Sequence, residues 1–198
     1  VRRDVQGWTH AQGPPMDFTP AAGDGNGRSR LFAFSPRDIL IVAVLVFLAA
    51  IAGSMSRPSG FLAVFWPANA LLAGVLVRAS RLRTVPVLVG AAIGYVVAGL
   101  VMGDALHTGA LLTFGNLVGA LAFTLLFGAL EPEDRALSRP QGVISLVLMA
   151  CAASAAAGVV GGLVSSELTG VSYFEGWSGW FAAELVNYLA LLPVILTL

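Results

Sequence analysis

The chain of 198 residues has no lysine, one cysteine and two histidines, and little charge of either sign: eleven Arg balance eleven Asp and Glu, 11% of the residues, for a net charge of zero. Each shortage excludes something. A soluble domain typically carries about 25% charged residues, so an ordinary globular fold in water is excluded. A single cysteine, Cys151, rules out an internal disulfide and a thiolate metal site; set among Ala150, Ala152 and Ala153, it reads as a small packing residue. With His10 near the start and His107 in a polar gap, the apolar part of the chain holds no His pair, Ser–His arrangement or His-Glu-x-x-His motif. A Walker-type glycine-rich loop is missing as well. The segment is accordingly not expected to be an enzyme, and neither a cofactor nor a metal is expected.

What is there is apolar. Hydrophobic residues make up 57% of the chain, and mean hydropathy is +0.84. They fall in six stretches, residues 39–56, 61–77, 85–101, 108–130, 142–166 and 177–198, each close to the ~20 residues a helix needs to cross ~30 Å of hydrocarbon. Strands of ~10 residues with alternating polarity, the mark of a membrane barrel, are not seen. The expected fold is all-α: a polytopic membrane bundle of six transmembrane helices with the lipid bilayer as its solvent.

The arginines orient that bundle. Arg2, Arg3, Arg28, Arg30 and Arg37 precede the first stretch; Arg78, Arg81 and Arg83 follow the second; Arg135 and Arg139 follow the fourth; only Arg57 falls on the other side. The positive-inside rule then predicts cytoplasmic N- and C-termini. Such short juxtamembrane clusters make no nucleic-acid footprint. Residues 1–35, rich in Gly and Pro (Gly13-Pro14-Pro15, Gly23-Asp24-Gly25-Asn26-Gly27), are expected to be a disordered cytoplasmic tail, and residues 36–198 the membrane domain. The chain starts at Val1 and shows no polar residue after Thr197, so it reads as a piece of a longer protein with an effector domain beyond residue 198. Four pairs of glycines at i, i+4 (Gly90/Gly94, Gly99/Gly103, Gly115/Gly119, Gly158/Gly162) let helix backbones approach, either within one bundle or as the seam of a homodimer.

Against this background the polar positions inside the stretches stand out: Asn69 in the second, Asn116 in the fourth, Glu184 and Asn187 in the sixth. A charge near the bilayer centre costs at least ~2.5 kcal/mol, so a chain that keeps one has a polar partner or a task for it. Counted at ~1.5 Å per residue, Asn69, Asn116 and Glu184 come out roughly 10–12 Å below the outer boundary, and Tyr95 of the third helix at a similar level. One polar layer is the simplest account. Trp177, Trp180, Glu184, Asn187 and Tyr188 follow an i, i+3, i+7, i+10, i+11 spacing and share a helix face that must look into the bundle. That face is either a ligand or proton site walled by Trp and amides or a network that fixes helix packing. Trp66 and Pro67 are either an interfacial anchor with a kink or an opening that brings Asn69 and a freed carbonyl to the polar layer.

Phe65-Trp66-Pro67-Ala68-Asn69, Pro86 with Gly90-Ala91, Gly115-Asn116, and Trp177-x2-Trp180-x3-Glu184-x8-Pro193, in this order and on these helices, resemble the first-described class of bacterial membrane-associated sensor domains. The resemblance covers about residues 36–198. The sequence departs from the family pattern at Glu184, where Asp is more frequent, and at Asn187, Ala70 and Gly119. The resemblance implies a sensory module that binds a small ligand or reads a membrane state and signals to a cytoplasmic effector in the same chain, of diguanylate cyclase, phosphodiesterase or histidine kinase type. A substrate-binding membrane subunit of a vitamin-type transporter is the alternative.

Overall fold

The computed structural model describes residues 36–56, 65–79, 84–135 and 137–197; the expected tail, residues 1–35, lies outside them. Its six helices are α1 (Pro36–Met55), α2 (Pro67–Arg78), α3 (Thr84–Val101), α4 (Leu106–Gly128), α5 (Pro140–Thr169) and α6 (Tyr173–Thr197), with no strand among the described residues. All but α2 are long and apolar enough to cross a membrane. The protein is an all-helical bundle of the membrane type.

Local chemistry sets several boundaries. Pro67 and Pro140 occupy the first turns of α2 and α5, where a missing N–H costs nothing, and each forces the residue before it out of the helical region. Trp66 (φ −129°, ψ 76°) and Arg139 (φ −111°, ψ 145°) show that restriction. Gly170, at φ 72°, ends α5 in the left-handed conformation and donates its N–H to the Ser166 carbonyl at 3.0 Å.

The bundle is turned inside out relative to a soluble protein. Val85, Val89, Ile93 and Val97 form an exposed apolar stripe along α3, and Leu40, Ile41, Val44, Leu45 and Leu48 do the same on α1. The interior holds Asn69, Asn116, Glu184, Asn187, Thr113, Ser154 and Ser165. An apolar exterior, with the buried polar groups set into an otherwise apolar core, is stable where hydrocarbon is the solvent.

Close approaches give the helix directions. A Cβ on Gly90 would lie 2.6 Å from the Ile39 carbonyl oxygen, and one on Gly94 would lie 2.5 Å from that of Ala43, so α3 runs parallel to α1 with backbones in contact. Gly158 and Gly162 of α5 lie against Trp177 and Tyr173 of α6, which makes that pair antiparallel. Gly115 and Gly119 of α4 face Trp180 and Glu184, so α4 and α6 are parallel. Three of the four glycine pairs therefore serve packing within one chain.

The second helix is where the structure departs from the sequence reading. A span over residues 61–77 was expected; the described helix is the twelve-residue Pro67–Arg78, about 18 Å long at 1.5 Å per residue and too short to cross ~30 Å. Residues 57–64 lie outside the described set. With Ala68, Asn69, Ala70, Leu72, Ala73, Gly74 and Leu76 all buried, α2 is a core helix, and its N-terminus starts inside the bundle because Pro67 cannot accept a preceding helical turn.

Candidate functional site

Asn69, in the first turn of α2, is the hub of the interior. Its Nδ2 donates to Glu184 Oε2 at 2.8 Å and Oε1 at 3.0 Å, and to Asn116 Oδ1 at 3.0 Å. Its Oδ1 accepts from the Tyr95 hydroxyl. Four helices, α2, α3, α4 and α6, thus meet through one amide. Because a carboxylate offers only acceptors to Asn69, the amide must turn its nitrogen toward Glu184, which leaves its oxygen for Tyr95. Asn69 is fully buried, Glu184 is 3% exposed, and Asn116 and Tyr95 are 5% exposed. The Glu184 carboxyl therefore sits within a turn of the α2 N-terminus, the positive end of that helix's macrodipole.

Asn187, one turn further along α6, does a different task. Its Oδ1 accepts the Trp66 backbone N–H at 2.8 Å, while its Nδ2 donates to the Ala183 carbonyl at 2.6 Å. It ties the start of α2 to α6 and satisfies an amide that would otherwise be buried beside a helix end. Pro67 opens α2 at that point, with Asn69 in the same first turn.

Tyr188 lies under the carboxylate. It is fully buried, its ring is 5.3 Å from that of Phe123, and its hydroxyl makes no hydrogen bond among the described residues. Gly119 provides the room: a Cβ there would stand 2.6 Å from Glu184 Oε1 and 3.4 Å from the Tyr188 hydroxyl oxygen. Any larger residue at 119 would displace the acid.

Above the network is a cavity of about 70 Å³, lined among others by Trp66, Tyr95, Asn116, Trp180 and Glu184. Trp66 stacks near Tyr95 (centroids 6.5 Å apart, planes at 12°). Trp180 is slotted between α4 and α5, where a Cβ on Gly115 or Gly161 would fall 3.0 Å or 2.1 Å from its ring. The half-exposed Asp104, in the α3–α4 turn, also lines the cavity and holds that turn through its N–H to the Gly99 carbonyl at 2.9 Å.

Of the residues singled out from sequence, Glu184, Asn69, Asn116 and Tyr95 are bonded together, Trp66, Trp180 and Tyr188 surround them, and Pro67 and Asn187 set the α2 start. Trp177 does not join them: its ring stacks on Phe181 at 5.2 Å and covers Gly158 of α5. Sequence reading missed Asp104, Thr113 and Ala183 in the lining. Asp104 carried a signal, being an acid in the turn directly above the polar layer; Thr113 and Ala183 had none, since small residues in apolar runs are ordinary. Comparison of the chain with protein-family models, curated proteins and solved structures finds no match.

Proposed function

We propose that this chain is the membrane sensory module of a bacterial signalling protein, embedded in the inner membrane with both ends cytoplasmic. Its output would pass through α6 to an effector of diguanylate cyclase, phosphodiesterase or histidine kinase type. The observation that supports this reading most is the placement of the Asn69-centred network at the floor of a small aromatic-walled cavity. A stimulus in the cavity acts on Glu184 and Asn116 directly, and each hydrogen bond it makes or breaks changes what holds α6 to α2, α3 and α4. A switch of this kind needs two bundle packings of similar free energy, one of which the stimulus favours. The sequence resemblance to membrane-associated sensor domains points the same way, as does the arginine distribution, which sets Arg37, Arg78, Arg135 and Arg139 at the end away from the cavity.

The transporter alternative fits less well. A cavity of about 70 Å³ is far below the ~300–1,000 Å³ of sites that enclose a drug-sized molecule, and a vitamin is of that size. The coding sequence past Leu198 decides between them. A continuous helix leading into a catalytic domain is the expected result, and a stop codon shortly after Leu198 would refute the sensory reading.

A further inference from the structure

The lining of the cavity is one-sided in charge. Asp104 stands at its α3–α4 end and Glu184 at its floor, and no Arg, Lys or His lines it among the described residues. An anion entering would meet two acids and, among the described residues that line it, no counter-charge. A neutral apolar group would add no donor for the lone pairs of Glu184 that Asn69 does not use, a cost buried polar groups avoid.

The hydrogen-bond inventory is one-sided as well. A carboxylate has about four lone-pair sites. The described donor that reaches Glu184 is the Asn69 amide, shared with Asn116 Oδ1. Tyr95 commits its hydrogen to Asn69. Acceptor capacity is left over, and Trp66, Trp180 and Tyr95 line the cavity beside it, side chains whose ring faces attract cations.

Size narrows the class. The volume of about 70 Å³ is less than half of the ~150 Å³ that admits benzene. A primary ammonium group and the carbon that bears it fit; a trimethylammonium head does not.

Building on the sensory reading above, we propose that the cavity binds the primary ammonium group of a small amine, with Glu184 as its counter-ion, Asn116 Oδ1 as a further acceptor, Trp66, Trp180 and Tyr95 as its aromatic walls, and Asp104 steering it in. No covalent step is involved.

The test uses the full chain, purified into lipid nanodiscs and titrated with methylammonium and propylammonium chloride, with tetramethylammonium chloride, sodium chloride and sodium propionate as comparisons. Intrinsic tryptophan fluorescence and thermal unfolding are the readouts. Saturable binding of the two primary ammonium salts alone is expected. Glu184→Gln should weaken it about tenfold or more, the scale of losing a hydrogen bond to a charged group, and Asp104→Asn should weaken it less. Saturation by propionate, by tetramethylammonium or sodium in place of the primary amines, or by none of the salts overturns the proposal, as does parent-like binding by a folded Glu184→Gln protein. If that variant does not fold, the selectivity of the parent decides alone. Amine binding that leaves the attached effector's output unchanged would refute the sensory reading and keep the ligand class; output that depends on Glu184 in a protein that binds no amine would refute the ligand class only.

Discussion

Asn69 concentrates more of this structure than any other side chain, since one amide satisfies a carboxylate, a second amide and a phenol on three other helices. Replacing it with Ala would leave Tyr95 and Glu184 buried without it, at about 1–3 kcal/mol per unsatisfied group. A sharper prediction uses a cycle. Asn69→Ala, Tyr95→Phe and the double variant, compared by unfolding in mild detergent, should be non-additive by about 0.5–3 kcal/mol, as residues in direct contact are; additivity would mean that the Tyr95–Asn69 bond does not form. The residues of this network were legible from sequence because a carboxylate and amides inside apolar runs have no cheap explanation. Their pairing was not: the sequence placed them at a common level, but nothing in it showed that Asn69 would be the hub or that Asn187 would turn away to hold the Trp66 N–H.

At the scale of elements, sequence and structure agree on five helices and part at α2. Hydropathy cannot see that Pro67 starts a helix inside the bundle, since Phe61 to Val64 are as apolar as α2 itself. The common depth counted for Asn69, Asn116 and Glu184 agrees with their hydrogen bonds, although Asn69 is only two residues into α2 while Glu184 is well along α6: they meet because α2 begins at the polar layer. The glycine pairs were ambiguous from sequence for a physical reason, because a small-residue stripe suits a neighbour in the same chain or in a second copy equally well. In the fold, Gly94 has no room for a methyl, with the Ala43 carbonyl oxygen 2.5 Å and the Phe47 nitrogen 3.0 Å from where a Cβ would stand. The contact is backbone on backbone, so no side chain can yield. Gly94→Ala should therefore force α1 from α3 and destabilise the bundle by about 1–3 kcal/mol, as overpacking does. Gly128→Ala, with open space around it, is the control and should leave unfolding unchanged.

For the whole molecule, the two ends of the bundle differ in kind. Arg37, Arg78, Arg135 and Arg139 lie toward the end where α1 and α5 begin and α2, α4 and α6 finish, and the cavity with Asp104 lies toward the other. If the arginine end is cytoplasmic, reporter fusions after Arg37, Arg83 and Arg135 should read inside, and fusions near Arg57, Asp104 and Gly170 outside. An outside signal at Arg83 would invert the bundle and close the cavity to external stimuli. Given that orientation, α6 carries the Glu184 contact at its outer half and leads inward past Pro193, so a change at the network has a continuous element to travel along. On the sensory proposal, the most direct measurement is the output of the proposed effector in membranes, tracked as external pH is stepped, for the parent and for Glu184→Gln. The variant keeps one of the two acceptors that face Asn69, turns the other into an amide nitrogen, and cannot ionise. The account predicts that it folds with parent-like thermal stability and holds one output level while the parent responds; a Glu184→Gln protein that tracks pH as the parent does would contradict it and reduce the network to a packing device.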